Sequence, residues 1–383
     1  MAELHAAVAK PVCVHVKSLV LSHFRNYRST RIGVDARPVV LIGDNGAGKT
    51  NILEAISLLT PGRGLRRARL ADMDNSEDDA SWGVAAEVAG PAGEASIGTG
   101  RDPQSGEDSD KRIVKIDGKI ARGQTGLAKR FMALWLTPQM DNIFLEGGTA
   151  RRKFLDRLVY SFDTEHASRI NAYELTMRER NRLLSEGLRD TVWLGALEQK
   201  MAEQGVAIAV ARAHAAEGLG QAMQMAGHSF PKAQLSVSGV IEDTLAQGSA
   251  LAAEENFRDA LAAGRQADTG AGRCLTGIHR AKVEVLHVGK NMPAERCSTG
   301  EQKALLVSII LAQARAGAAW HGCVPALLLD EVATHLDAGR RGELYAEITD
   351  LGAQAWITGT DREIFEQIQG QLLRVDQGNV TQF

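Results

Sequence analysis

The sequence has few aromatic residues and no excess of charge of either sign. Phenylalanine, tryptophan and tyrosine make up 5% of the chain, and 47 acidic residues stand against 44 basic ones. This balance excludes a uniformly basic nucleic-acid coat protein, so any nucleic-acid site must be a local patch. The hydrophobic share of 44% argues against a disordered chain.

Cysteine is too scarce for a disulfide framework, and no long hydrophobic run is present. Four cysteines occur in 383 residues, none of them in a CxxC pair, so we expect a reduced, cytoplasmic protein without structural zinc. The longest apolar stretch, Ala304 to Ala314, is much shorter than the roughly 20 residues that span a bilayer. Residues 1–10 lack the basic and apolar regions of a signal peptide. We therefore expect no membrane span and no secretion.

The patterns of apolar residues predict an α/β fold interrupted by a helical insertion. Short β-like runs separated by turn residues between Trp82 and Ile120 predict a small antiparallel lobe. From Thr149 to Gly227 the chain is rich in Ala, Leu, Glu and Arg, which predicts helices. Apolar strands return at Ala326 to Leu329 and at Ala355 to Thr358. We predict one split domain, residues 1–145 with 272–383, and an inserted arm, residues 146–271.

A glycine-rich loop lies between an apolar strand, Val39 to Ile42, and a helical repeat, Ile52 to Leu59. Its sequence matches G-x-x-x-x-G-K-[ST], the phosphate loop of nucleotide-binding proteins. Backbone N–H groups of such a loop cradle phosphates, its lysine reaches the β- and γ-phosphates, and its hydroxyl binds Mg²⁺. A glycine turn that only caps a helix is the alternative. The residues concerned are Gly43, Asp44, Asn45, Gly46, Ala47, Gly48, Lys49, Thr50 and the following Asn51.

Two later stretches suit the remainder of an ATP site. The strand Leu327-Leu328-Leu329 ends in Asp330 and Glu331, which would hold Mg²⁺ and polarise the attacking water. On its own, such a strand end is often only a solvated turn. Ser298-Thr299-Gly300-Glu301-Gln302 opens an apolar helix. That stretch is either a helix N-cap or a second anion site for a γ-phosphate.

The order of these motifs resembles that of ABC-type ATPase heads, and most closely the SMC-like RecF family of bacterial recombination and repair proteins. The resemblance covers nearly the whole chain and includes Phe24-Arg25-Asn26-Tyr27, Gly43 to Leu53, Arg151 to Asp156, Tyr173 with Arg178 to Leu184, Gly277 to Arg280, and Ser298 to Ala314. It implies an α/β, ABC-type P-loop ATPase head with an antiparallel β lobe and an inserted, mainly helical arm.

The resemblance also implies roles for single residues. Lys49, Asp330 and Glu331 would be catalytic. Thr50, Asp330 and Gln139, at the Q-loop position, would bind Mg²⁺. Ser298, Gly300 and Glu301 would form a signature loop that serves the nucleotide of the opposite subunit, and Asp337 would lie in the D-loop.

For function, the resemblance implies a weak, DNA-dependent ATPase whose ATP-dependent homodimer clamps DNA at single-strand gaps and adjoining duplex. Slow hydrolysis would release the clamp. The protein would help to load recombinase together with RecR and RecO-like mediator proteins, in recombinational gap repair and replication restart. A membrane partner is not expected.

A cluster of four arginines is the candidate DNA contact: Arg63, Arg66, Arg67 and Arg69. On composition alone such a run is more often a solvated surface, and the resemblance favours the DNA interpretation. Arg151 to Lys153 is a second candidate. Phe24 and Tyr27 are candidates for stacking on adenine or bases, although core packing is the better expectation for Phe24.

The sequence departs from the family pattern at three places. Gly277-Ile278-His279-Arg280 is followed by Ala281-Lys282 rather than by acidic residues, Gln139 stands where glutamate is frequent, and no histidine follows the strand at Thr358. A transporter ATPase subunit, for which that histidine is usual, and a P-loop kinase of a small molecule are the alternative functions.

Overall fold

The computed structural model describes residues 12–77, 80–102, 111–121, 124–160, 163, 165–187, 190–225 and 230–383. The first ten residues and most of the polar stretch 101–111 lie outside the described residues, so the expectations for them stay expectations.

Strands and helices follow one another along the chain in three stretches. The first stretch contains β1 (Val12–Cys13), β2 (His15–Phe24), β3 (Tyr27–Gly33), β4 (Val39–Ile42), α1 (Lys49–Ser57), β5 (Gly83–Gly90), β6 (Gly93–Arg101), β7 (Arg112–Ile116), β8 (Lys119–Ile120), α2 (Thr125–Ala128) and β9 (Ala133–Leu136). The second contains α3 (Gly148–Val159), α4 (His166–Ser185), α5 (Thr191–Met225), β10 (Ala233–Ser238), α6 (Val240–Gln247), α7 (Ala250–Ala263), α8 (Arg265–Ala271), β11 (Lys282–His287), β12 (Met292–Pro293) and α9 (Thr299–His321). The third contains β13 (Cys323–Val324), β14 (Ala326–Leu329), α10 (Ala338–Leu351), β15 (Ala355–Gly359), β16 (Gln371–Asp376) and β17 (Asn379–Gln382).

The chain divides into two compact units, residues 1–140 with 313–383 and residues 141–312. The second unit extends past residue 271 because β11 pairs antiparallel with β10 over the whole length of both strands. The predicted domain limits are 1–145 with 272–383 and 146–271. They are drawn from the pattern of apolar residues and not from contacts in space, and they stay a prediction.

The first unit contains a six-stranded sheet in the order β17-β16-β4-β15-β14-β9. All neighbours are parallel except β17, which pairs antiparallel at one edge. Every residue of β4, β14 and β15 is buried, and central parallel strands covered on both faces are continuous apolar runs for this reason. The carboxyl ends of these strands meet at one edge, where the loops after β4 and β14 begin.

The first unit also contains an antiparallel sheet in the order β3-β2-β5-β6-β7-β8 and a parallel pair, β1 with β13. The predicted lobe between Trp82 and Ile120 is therefore present, and β2 and β3 complete its sheet. The two sheets contribute to one core, in which the Phe24 and Trp82 rings meet edge to face at a centroid distance of 5.6 Å.

The second unit is mainly helical and also contains the antiparallel sheet β10-β11-β12, which the sequence did not predict. A fully buried guanidinium, that of Arg180, links its helices. Arg180 donates to Glu198 at 3.0 Å, to Asp268 at 2.6 Å and to the Leu261 carbonyl at 2.7 Å. Removing one partner from such a network leaves an uncompensated buried charge, which costs about 3–5 kcal/mol. The network therefore fixes how α4, α5, α7 and α8 meet.

Within the described part of the chain, one helix, α9, is long and apolar enough to cross a membrane by length and composition. However, 67% of its most apolar window is buried inside the protein. Such burial is typical of the core helix of a folded domain.

Candidate functional site

The glycine loop connects β4 to α1, as the motif predicts. Gly46 and Gly48 have φ angles of 85° and 113°, which are conformations that only glycine adopts readily. A Cβ at Gly48 would also lie 2.6 Å from the Tyr27 hydroxyl oxygen. The first turn of α1 contains no acidic residue and no side chain caps it. The Asn51 N–H already donates to the Gly48 carbonyl at 3.0 Å, so the N–H groups of Lys49 and Thr50 are the ones in this turn that are available to an anion.

Lys49 is the first residue of α1, and its side chain lies within the loop. The residue is 5% exposed, and Nζ donates to the carbonyl oxygens of Gly43 at 2.6 Å and Asp44 at 2.9 Å. Burial lowers the pKa of Lys49, and the nearby carboxylates of Glu331, Asp330 and Asp44 oppose this shift. The ammonium is thus held where the loop would surround phosphates.

Asp330 joins the glycine loop to the central strands. Its Oδ1 accepts hydrogen bonds from the hydroxyls of Thr50 and Thr358, both at 2.9 Å. The Thr358 hydroxyl oxygen in turn accepts from the Glu331 N–H at 2.8 Å. Burial raises the pKa of Asp330. Thr358 lies on β15, between the strands that end in the two motifs, and was not predicted as a site residue.

The Asp330 carboxylate and the Thr50 hydroxyl, whose oxygens lie 2.9 Å apart, fit Mg²⁺, a hard cation that prefers oxygen ligands. Among the described residues no group of three or more His, Cys, Asp or Glu side chains is placed to hold a metal ion. This donor set suits Mg²⁺ because the ion usually takes one or two protein carboxylates and completes its shell with water and substrate phosphates.

Glu331 follows Asp330 with a φ of 55°. A left-handed conformation is uncommon for a residue other than glycine, and such strain is concentrated at functional sites. The residue is partly exposed, and its backbone is fixed by the hydrogen bond to Thr358. The carboxylate is therefore held by the backbone at the sheet edge that carries Lys49.

The turn between β2 and β3 is hydrogen-bonded to the glycine loop and supports it. The Tyr27 hydroxyl donates to the Gly48 carbonyl at 3.0 Å, Asn26 Nδ2 donates to the Ala47 carbonyl at 3.1 Å, and Asn51 Nδ2 donates to Asn26 Oδ1 at 2.7 Å. Phe24 and Tyr27 are both fully buried. The core role expected for Phe24 is correct, whereas Tyr27 supports the loop and is not available to stack on adenine or bases.

The four clustered arginines do not share one environment. Arg66 Nη1 contacts the buried Glu54 carboxylate at 2.8 Å and Asn51 Oδ1 at 2.7 Å, whereas Arg63, Arg67 and Arg69 are exposed and form no ion pair within the described residues. Glu54 also receives two hydrogen bonds from Arg25. Arg66 therefore already has structural partners, and only the other three are free to meet an external anion.

Gln139 and Asp337 lie in exposed positions in the first unit. Gln139 follows β9, whose last residue, Leu136, accepts a hydrogen bond from the Asp330 N–H at 2.9 Å. The segment that carries Gln139 therefore begins at the same sheet edge as Asp330. Asp337 is the N-cap of α10 and accepts from the Arg340 N–H at 3.0 Å. That hydrogen bond lowers the pKa of Asp337.

In the second unit, Ser298 and Glu301 form a capping arrangement at the start of α9. The Ser298 N–H donates to Glu301 Oε2 at 3.0 Å, and the ammonium of Lys290 contacts the same carboxylate. Lys290 and Ser298 together lower the pKa of Glu301 to about 2. Ser298, Thr299 and Gly300 are exposed. The N-cap interpretation thus describes the contacts within one chain. Because the turn is exposed, its interpretation as an anion site for a γ-phosphate can still be tested.

Comparisons with known proteins identify the family of this chain. The family model described as RecF/RecN/SMC N terminal domain matches residues 15–382. The DNA replication and repair protein RecF of Mesorhizobium japonicum is 47% identical over 97% of this chain and 98% of that protein. The chain belongs to the RecF family. RecF of Brucella suis is 44% identical, with 97% of each chain covered, so the predicted family is confirmed.

Solved structures extend the agreement to the fold. The recombination mediator protein RecF, in a structure entitled RecF-ATPrS in the RecFOR pathway, superposes with a TM-score of 0.84 at 22% identity over 98% of this chain and 99% of that one. The Smc head domain of Pyrococcus furiosus superposes with a TM-score of 0.55 at 13% identity over 97% and 96%. The predicted ABC-type, SMC-like head fold is confirmed for this RecF-family chain.

Proposed function

We propose that this RecF-family chain is an ATP-dependent DNA-binding protein of recombinational gap repair and replication restart, in which two copies clamp DNA while ATP is bound. One observation carries the proposal: Thr50, Asp330 and Thr358 converge at the glycine loop that buries Lys49. Relatives named DNA replication and repair protein over almost the whole chain support the DNA part.

Each site residue has a task in this proposal. Magnesium, when bound, supplies positive charge that neutralises the β- and γ-phosphates. Thr50 and Asp330 provide its protein ligands, with Gln139 above the same sheet edge. Lys49 binds the β- and γ-phosphates together with the N–H groups of Gly46 and Gly48. Glu331 orients the attacking water and accepts its proton.

The second half of the site comes from the other copy. Ser298, Gly300 and Glu301 of one copy face the γ-phosphate held by its partner, and Asp337 lies nearby in the same interface. A ligand bound only by the dimer stabilises it by about 2.7 kcal/mol at a hundredfold excess over its dissociation constant. ATP then closes the clamp and slow, DNA-stimulated hydrolysis opens it.

Arg63, Arg67 and Arg69 provide DNA contacts. Arg66 anchors the segment that carries them through its ion pair with Glu54. With no base-reading module in the sequence, binding rests on phosphate contacts and shape rather than on base sequence. Recognition of single-strand gaps with adjoining duplex, and cooperation with RecR and RecO-like mediator proteins in loading recombinase, complete the proposed role.

Light scattering after size exclusion tests this function directly. The chain is run alone, with ATP and Mg²⁺, and with ATP, Mg²⁺ and a gapped duplex. We expect a monomer, a dimer and a dimer bound to DNA. ATP-driven dimers that bind no DNA would overturn the clamp, and a monomer that binds ATP and transfers its phosphate to a small molecule would favour the kinase alternative.

Replacing Ser298 by alanine separates the two interpretations of the turn. The cap bond from the Ser298 N–H to Glu301 is a backbone bond and remains. Loss of a hydroxyl that bonds a charged phosphate costs about 1.5–3 kcal/mol, so ATP-driven dimerisation should weaken about 10- to 150-fold for each nucleotide site in the dimer. ATP affinity of the monomer should change little.

Ser249→Ala is the matched control because Ser249 is also an exposed N-cap, with its hydroxyl accepting from the Ala252 N–H at 3.2 Å. It should lower the free energy of unfolding by about 1 kcal/mol without affecting dimerisation. If Ser298→Ala also changes only the free energy of unfolding and not dimerisation, Ser298 acts only as a helix cap.

A further inference from the structure

Three arginines of the second unit, Arg152, Arg212 and Arg280, carry more positive charge than the nearby carboxylates neutralise. Arg152 lies on α3, Arg212 on α5, and Arg280 in the turn that precedes β11. Arg212 uses both oxygens of Asp156, at 2.8 and 2.9 Å, and His166 contacts that carboxylate at 2.9 Å. Asp156 is therefore fully engaged, and no ion pair of Arg152 or Arg280 occurs within the described residues.

The turn that carries Arg280 is rigid. Gly277 has a φ of 137°, and a Cβ there would lie 2.2 Å from the Tyr173 hydroxyl oxygen. Arg212 Nη1 donates to the Ile278 carbonyl at 2.9 Å, and the Arg280 N–H donates to the Gly277 carbonyl at 2.8 Å. A side chain at Gly277 would thus push the turn off Tyr173.

His279 fixes the same turn from both ring nitrogens. Its Nε2 lies 3.0 Å from the Cys274 carbonyl, which can only accept, so Nε2 is the donor. Its Nδ1 then accepts from the Tyr173 hydroxyl at 3.1 Å. Burial lowers the pKa of His279, and the charges of Arg280 and Arg152 add to this effect. A neutral imidazole therefore locks the backbone that presents Arg280.

Arg152 is anchored beside this turn. Its Nη1 donates to the Ala281 carbonyl at 2.9 Å, and its Nη2 donates to the Thr149 hydroxyl at 3.0 Å. Burial lowers the pKa of Arg152, and the charges of Arg212, Arg280 and Arg151 lower it further while Asp156 opposes them. The fold thus keeps like charges together at a cost, which an anion at the surface would offset.

Two of the neighbouring basic side chains are already paired with carboxylates. Arg151 pairs with Glu295 at 2.9 Å, and Lys282 pairs with Glu284 at 2.7 Å. Arg152 and Arg280 therefore keep an excess of positive charge, to which the exposed Lys153 beside Arg152 adds. Arg280 is exposed and Arg152 is half-buried, so their guanidinium groups are available from solvent on a preorganised turn.

We propose that Arg280 and Arg152 form a contact for the phosphate backbone of DNA on the second unit, additional to the arginine cluster that follows the phosphate loop. This inference rests on the proposed DNA-clamp function and assigns a role to the Gly277–Arg280 turn. An exposed guanidinium on a turn whose backbone is already held suits an extended polyanion because little backbone entropy of the turn is lost on binding. A backbone contact of this kind is independent of base sequence.

Salt-dependent binding of a fluorescent gapped duplex tests the proposal. Each phosphate contact contributes about 0.9 to the slope of log affinity against log salt concentration. Arg280→Ala should therefore reduce that slope by about 1 and weaken binding about eightfold at roughly 0.1 M salt. Arg280→Lys keeps the charge and should retain the slope. ATP affinity should equal that of the unaltered chain in every variant.

Arg258→Ala is the matched control, because Arg258 is a partly exposed arginine of the same unit that pairs with Asp259 at 3.1 Å. It should leave the slope unchanged. If Arg280→Ala binds DNA as the unaltered chain does, the proposed contact is wrong and the clamp function stands. If the unaltered chain binds no DNA, the clamp function is wrong as well.

Inorganic phosphate distinguishes a backbone contact from a small-anion site. A backbone contact predicts that phosphate competes with DNA only as strongly as other salts of equal ionic strength. Competition beyond that, lost in Arg280→Ala while DNA affinity is unchanged, would assign these arginines to a small anion and overturn the proposal.

Discussion

Lys49→Ala is expected to abolish ATP binding at working concentrations. Lys49 is buried in the glycine loop with the carboxylates of Glu331, Asp330 and Asp44 around it. Alanine would remove the cation and leave those three negative groups facing a triphosphate. Truncating one partner of a buried charge pair costs about 2–5 kcal/mol, which corresponds to an affinity loss of about 30- to 4,000-fold. Isothermal titration with ATP and Mg²⁺ measures it.

Lys119→Ala, which removes an exposed lysine from the same unit, should bind ATP like the unaltered chain. Because Lys49 also donates to the Gly43 and Asp44 carbonyls, thermal unfolding without nucleotide must show that the variant is folded. A folded Lys49→Ala chain with near-normal ATP affinity would contradict the assignment of the phosphate loop.

The parts of the site that the sequence predicted are those with a local signal. The phosphate loop is a run of eight residues with its glycines at fixed positions. The strands β4, β14 and β15 are continuous apolar runs because both of their faces are buried. An apolar strand that is followed by Asp330 and Glu331 can therefore be assigned to the same site as the loop from the order of residues alone.

The contacts that complete the site depend on strand order, which no local pattern contains. Thr50 and Asp330 are 280 positions apart in the chain, and Thr358 joins them only because β15 lies between β4 and β14. Tyr27 was considered for stacking because aromatic rings often bind bases. Its hydroxyl instead supports Gly48, and nothing in the sequence around Tyr27 predicts that partner.

Charge clusters were the least predictable feature. Arg63, Arg66, Arg67 and Arg69 look alike in sequence, yet Arg66 pairs with the buried Glu54 while the others face solvent. Conversely, the charge excess at Arg152 and Arg280 is visible only after their neighbours are assigned to Glu295, Glu284 and Asp156. Counting charges along a chain gives no account of which ones are already paired.

Glu331→Gln is expected to bind ATP and to accumulate as a dimer that does not turn over. The substitution preserves the size of the side chain, and the hydrogen bond that fixes this position runs from the backbone N–H to Thr358. The left-handed backbone accepts glutamine as it accepts glutamate. An amide cannot take a proton from water, so hydrolysis should fall about 10²- to 10⁴-fold while the ATP contacts of Lys49 and Thr50 remain.

The consequence for the clamp is kinetic. When hydrolysis is the opening step, a chain that cannot hydrolyse ATP stays closed, so light scattering should report a dimer long after excess nucleotide is removed. Glu366→Gln changes an exposed glutamate in the same unit and should dissociate like the unaltered chain. A Glu331→Gln chain that binds ATP yet stays monomeric would show that the two nucleotide sites are not shared between copies.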